Sequence, residues 1–117
     1  MQLQLYGKKI WLYRQAVDFR KAIDGLLGLL SVDGETNLQE GIYLFYNGSR
    51  DKVKCLTWHK NGFMMLYKRL EKGRFDFSEA SKKRMVEITE TELGWLLAGL
   101  EWQKMRQWGD LSYDKFS

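Results

Sequence analysis

The residues best suited to chemistry in this sequence are cations, and they are concentrated in one part of the chain. Residues 50–84 carry eleven lysines and arginines against four acidic residues, whereas residues 1–49 are neutral overall and residues 85–117 carry a net charge of −3. Clustered cations neutralise phosphates, and aromatic side chains among them stack on bases. This tract therefore predicts contact with nucleic acid, although a soluble domain also needs surface charge for its own sake.

The predicted nucleic-acid contacts are cations of this tract and two near the start of the first helix. They are Lys54, Lys60, Lys68, Arg69, Lys72, Arg74, Lys82, Lys83, Arg84, Arg20 and Lys21. Aromatic residues that could stack on bases or bind a partner protein are Trp58, Tyr67, Trp102 and Trp108.

Side chains that could catalyse a reaction are few. A lone Cys55 and a lone His59 cannot build a disulfide or a structural zinc site, and four residues along a strand would separate them by roughly 13 Å. The sequence has no glycine-rich phosphate-binding motif. Asp18 and Asp24, six residues apart, would point to different sides of a helix. We therefore expect a protein that is not an enzyme and that binds no metal or cofactor.

The elements that would position the cations predict a small α+β domain. β-favouring runs separated by turn residues predict an antiparallel meander over about 42–70, with flanking strands near 9–13 and 85–88. Apolar residues at helical spacing predict helices over about 18–31 and about 90–107.

Capping residues and turns set the expected boundaries. Asp18 is the predicted N-cap of the first helix, and Thr89 with Glu92 predicts a capping box at the second. A hairpin turn at Asn61-Gly62 would place Lys54 opposite Arg69. The aromatic and cationic face of this meander is either an open stacking surface or covered by a helix. We favour the covered alternative, because so many aromatics in water would form an unusually large exposed patch.

The organisation of the chain predicts one domain over 1–117. There is no proline and no repeat or linker composition, and 110–117 are expected to fray. No run approaches the ~20 apolar residues that span a bilayer, and no secretory signal pattern begins the chain. We expect a cytoplasmic protein with no membrane partner.

Three ordered motifs resemble one family. Asp18-Phe19-Arg20-Lys21-Ala22-Ile23-Asp24-Gly25-Leu26 is similar to the D-[MF]-R-K-x-[IV]-D-G-L signature of the TnpB-type (Orf-two-like) accessory proteins of the insertion-sequence-66 family of bacterial transposable elements. The family's most characteristic run is matched in order by Lys54-x-Leu56-x-Trp58, Gly62-Phe63 and residues 68–75. Residues 89–100 resemble its last motif. The chain departs from that pattern at four positions: His59, Lys60, Met64 and Met65. The family usually carries acidic residues just after the position of Trp58, and often a Trp after the Gly-Phe pair.

The resemblance covers about 9–102 and implies an accessory role in DNA transposition beside a separate transposase. Together with the charge, it predicts a non-catalytic protein that contacts DNA phosphates through residues 50–84. One alternative is an adaptor that binds the transposase without touching DNA. A metal-dependent nuclease is the least favoured alternative.

Overall fold

The computed structural model describes residues 8–35, 37–77 and 84–105, and these ranges contain one mixed sheet. Its strands are β1 (Lys9–Tyr13), β2 (Gly41–Tyr46), β3 (Lys52–His59), β4 (Gly62–Arg69) and β5 (Met85–Ile88). They lie in the order β4-β3-β2-β1-β5, with β1 and β2 parallel and every other neighbouring pair antiparallel. The predicted α+β class, with its three-stranded meander and flanking strands, is confirmed. The strands β4 and β5 form the two edges.

The sheet is covered on both faces by the helices. On one face, α1 (Ile23–Val32) packs Leu26 and Leu30 against strand residues such as Tyr43 and Phe45. On the other face lies α2 (Glu90–Leu97), with Leu93 as one of its contacts. The meander's aromatic face is therefore mostly covered by α1, as favoured above. A 3-10 turn, Leu38–Glu40, joins α1 to β2.

The register of the last hairpin differs from the prediction by two residues. Lys54 lies opposite Tyr67, and Arg69 lies opposite Lys52. The connecting residues are Lys60, at a φ of 55°, and Asn61, because Gly62 already pairs within β4. A shift of two leaves every side chain on its predicted face, so alternation alone could not detect it.

An aromatic pair favours the observed register. Trp58 lies opposite Phe63, with ring centroids 5.1 Å apart and the rings edge to face. The predicted register would have placed Trp58 opposite Met65 and lost this contact, since directly opposed residues make the closest cross-strand contacts.

The first helix begins later than predicted, and Asp18 is not its N-cap. The N-cap is Ala22, and the first helical hydrogen bond runs from the Leu26 amide to the Ala22 carbonyl. Asp18 instead caps a separate turn: its carboxylate accepts the Arg20 amide at 2.9 Å. The turn stays outside the helix because Lys54 takes two of its carbonyl oxygens, as described below.

The second helix is shorter than the predicted span of about 90–107. Its capping box is present: the Glu92 amide donates to Thr89 Oγ1 at 3.1 Å, and the Thr89 amide donates to Glu92 Oε1 at 2.9 Å. It ends in a Schellman arrangement in which Gly99 has a φ of 78°. Residues 98–101 are not helical, a further helical turn covers residues 102–105, and residues 106–107 of the predicted span lie outside the described residues.

Candidate nucleic-acid interface

The edge strand β4 and the turn that follows it carry most of the exposed cations of the central tract. Residues 60–74 contain five cations against one acidic residue, and all five cations are exposed. The four at the C-terminal end of the strand and in the turn are Lys68, Arg69, Lys72 and Arg74. Successive strand residues alternate in direction, so Lys68 and Arg69 project on opposite faces of the same edge.

The partners of these cations leave most of the charge available. Lys68 Nζ donates to the Leu97 carbonyl at 2.6 Å, which satisfies the last turn of α2. Arg69 pairs with Glu71 at 3.2 Å, and its side chain remains 57% exposed. Within the ranges described above, no ion pair is formed by Lys72 or Arg74.

The turn before α1 adds two cations beside β4. The rings of Phe19 and Tyr67 lie 6.3 Å apart, which places Arg20 and Lys21 next to the end of the edge strand. Both cations are exposed, and Tyr67 is 52% exposed. We call the set formed by Arg20, Lys21, Lys68, Arg69, Lys72 and Arg74 the basic edge.

The carboxylate of Asp18 shapes this turn. The Arg20 guanidinium pairs with it at 2.6 Å while remaining 91% exposed. Hydrogen bonds from the Arg20 side chain and backbone lower the pKa of Asp18 to about 2. The carboxylate therefore stays ionised and orients Arg20 in solvent.

Lys54 has a different position from the other predicted contacts. It is buried, and its Nζ donates to the carbonyls of Phe19 at 2.8 Å and Lys21 at 2.7 Å. The ammonium also lies 4.7 Å from the centroid of the Phe19 ring. Burial lowers the pKa of Lys54, and the nearby Asp18 charge raises it. Lys54 thus links β3 to the turn by hydrogen bonds and is not one of the exposed cations.

The remaining predicted cations lie apart from the basic edge or outside the described residues. Lys60 is exposed at the hairpin tip, at the other end of β4. Arg84 precedes the opposite edge strand β5 and pairs with Asp33. Lys82 and Lys83 lie outside the part of the chain that the structure describes.

Two of the predicted aromatic contacts are packed inside the domain. Trp102 is 1% exposed, and its Nε1 donates to the Asp76 carbonyl at 2.5 Å. Trp58 is half-buried against Phe63. Trp108 lies outside the described residues, so Tyr67 is the exposed member of the set among those described.

Acidic residues follow the basic tract along the chain. Residues 85–101 carry four glutamates and no lysine or arginine, and Glu92 among them is buried. These residues are not confined to the β5 side of the sheet, because α2 ends against Lys68 of β4. The basic edge is therefore defined by its own exposed cations.

Other chemistry has little support in the described ranges. No three His, Cys, Asp or Glu side chains there form a group that could hold a metal ion. Burial raises the pKa of the Cys55 thiol to about 12, which disfavours its thiolate. None of the helices described is long and apolar enough to cross a membrane.

The sequence is similar to known proteins over most of its length. The profile described as IS66 Orf2 like protein (TnpB_IS66) matches residues 8–107. A protein of Sinorhizobium fredii (strain NBRC 101917 / NGR234), named "Uncharacterized protein y4jC", is 30% identical over 105 residues, which cover 86% of each chain. No solved structure gives a significant match.

Proposed function

Because the chain belongs to the IS66 Orf2-like family, whose members are accessory proteins of transposition, we propose that it contacts DNA phosphates through the basic edge. The observation that carries the proposal is the cluster of exposed cations along β4 and beside it. The six exposed cations of the basic edge are accompanied by two carboxylates, Asp18 and Glu71, so the set carries an excess of positive charge. A DNA duplex would be attracted to this edge.

The composition of the basic edge favours phosphates over base edges. Its long, flexible side chains lie around the rim of the sheet, and Tyr67 is the exposed aromatic beside them. Contacts of this kind position a protein on DNA without reading its sequence. We therefore expect binding that depends strongly on salt and weakly on sequence, with Tyr67 able to stack on an unpaired base.

The test is fluorescence anisotropy with labelled duplex and single-stranded DNA over a salt series. Terminal-inverted-repeat and scrambled sequences are compared. If each of the six cations neutralises one phosphate, log K should fall with log salt at a slope of about −5. Replacing Lys72 and Arg74 together with Ala should make the slope shallower by about 2.

Lys104→Ala is the matched control, because Lys104 is 65% exposed and pairs with Glu101 outside the basic edge. Its slope should equal that of the unaltered protein. Absence of binding at low salt, or an unchanged slope in the Lys72/Arg74 variant, would count against the proposal. Lys60→Ala serves a second purpose: it should change the slope only if the DNA runs along β4 toward the hairpin tip.

A further inference from the structure

A cavity lies on the α1 face of the sheet, away from the basic edge. Its volume is about 650 Å³, and its walls come from the first residues of β1 and β2 and from the connection between α1 and β2. Pockets that bind small ligands fall in the range of about 300–1,000 Å³. The size therefore leaves room for one side chain together with the backbone that presents it, or for one nucleotide.

Two aromatic side chains form the floor of the cavity. Trp11 of β1 lies directly opposite Tyr43 of β2. The Tyr43 phenol lies against the backbone of Gly41, where an added Cβ would approach Cζ and Oη to 2.7 Å. Glycine at this position leaves room for the Tyr43 phenol, which is buried.

Two carboxylates give the cavity a negative wall. Glu35 and Glu40 line it. The pKa of Tyr43 is raised, first by burial and then by these two carboxylates, so both act on the phenol. A group entering beside Tyr43 would meet the same negative potential.

The lysines at the cavity offset this charge only in part. The ammonium of Lys8 is bonded to β3: its Nζ donates to the Trp58 carbonyl at 2.5 Å and to Thr57 Oγ1 at 3.3 Å. Lys9 is exposed at the rim. The cavity therefore combines the half-buried Trp11 indole with carboxylate acceptors for a cation, whereas Tyr43 is 2% exposed and offers no open face.

We propose that this cavity binds the guanidinium of an arginine side chain presented by a partner protein. A guanidinium stacks on aromatic faces and donates in a planar fork that carboxylates accept. A nucleotide would suit the Trp11 indole, but its phosphate would be opposed by Glu35 and Glu40. The arginine site gives the accessory protein a contact with another protein that is independent of the basic edge.

The test uses ¹H–¹⁵N NMR with the peptide acetyl-Gly-Arg-Gly-amide. Its neutral control carries citrulline, which keeps the shape of arginine without the charge. The arginine peptide should shift the Trp11 indole and Gly41 amide signals, and the citrulline peptide should bind at least about tenfold more weakly, as expected when charge-assisted hydrogen bonds are lost.

Variants then separate the cavity from general surface charge. Glu35→Gln with Glu40→Gln should lower the affinity for the arginine peptide by about tenfold or more. Glu90→Gln with Glu101→Gln makes the same change in charge at exposed positions outside the cavity and should leave it unchanged. The DNA affinity of the first variant should not fall, because neither glutamate belongs to the basic edge.

Several outcomes would overturn the proposal. These are equal binding of the arginine and citrulline peptides, shifts scattered over all exposed acids, or equal losses in the two double variants. Shifts of the Trp11 indole by AMP but not by the arginine peptide would identify a nucleotide site instead. All of these results concern the cavity, so they leave the salt-dependence test of the basic edge unaffected.

Discussion

Replacing Lys54 with Met should destabilise the domain through the turn that this side chain holds. Methionine keeps most of the apolar stem, but the ammonium and its two hydrogen bonds to Phe19 and Lys21 are lost. A carbonyl that loses its partner costs about 1–3 kcal/mol when it is fully buried, and less where water can enter, as at these part-buried carbonyls. The two losses are partly offset by relief from burying the Lys54 charge, whose cost lowers its pKa. We expect a net loss of about 2 kcal/mol in the free energy of unfolding.

Guanidinium denaturation measures this loss directly, and calorimetry should show Tm falling by about 8 °C for a domain of this size. The matched control is Lys52→Met, since Lys52 lies on the same strand and pairs with Asp51 at 3.4 Å on a part-exposed surface. Its effect should stay below about 0.5 kcal/mol. A Lys54→Met protein as stable as the unaltered one, or no less stable than the Lys52 variant, would refute the assignment.

Three further predictions concern single groups. Arg20→Ala should move the pKa of Asp18 from about 2 toward 3.8, as measured by carboxyl ¹³C NMR. The contribution of the Arg20–Asp18 pair to folding stability is present above pH 3.8 and is lost as the pH falls toward 2. Cys55, with its pKa raised to about 12, should resist Ellman's reagent at pH 8 until the protein is unfolded. Gly99→Ala, at a φ of 78°, should cost about 1 kcal/mol of unfolding free energy, whereas Gly28→Ala, inside α1 with open space around it, should stabilise by a similar amount.

Most of the sheet could be predicted because its signals are local. Alternating residue types assigned the side chains of β2, β3 and β4 to the correct faces, and the burial of Phe45 and Leu44 on opposite faces confirms it. The hairpin register could not be predicted the same way. A slip of two residues preserves the alternation, and the choice between registers depends on a pair such as Trp58 and Phe63 that meets only in the folded sheet.

The start of the second helix was predicted because its signal is contained within the helix itself. The capping box of Thr89 and Glu92 is local and was found. The start of α1 was missed because the competing partner is Lys54, 33 residues from Lys21. The available signal was the position of Lys54 on the covered face of β3. A lysine among buried neighbours needs a partner, and backbone carbonyls of an adjacent turn can supply one.

Basic composition alone does not tell which cations are exposed together on the folded domain. The Lys54 ammonium is bonded inside the domain, and Arg84 pairs with Asp33. Arg20 and Lys21, in contrast, come from a neutral part of the sequence and are brought to β4 by folding. The buried Lys54 ammonium donates hydrogen bonds that fix the backbone of the turn in which Arg20 and Lys21 are exposed. Two of the motifs that mark the family are therefore one structural unit, in which a buried cation positions exposed ones.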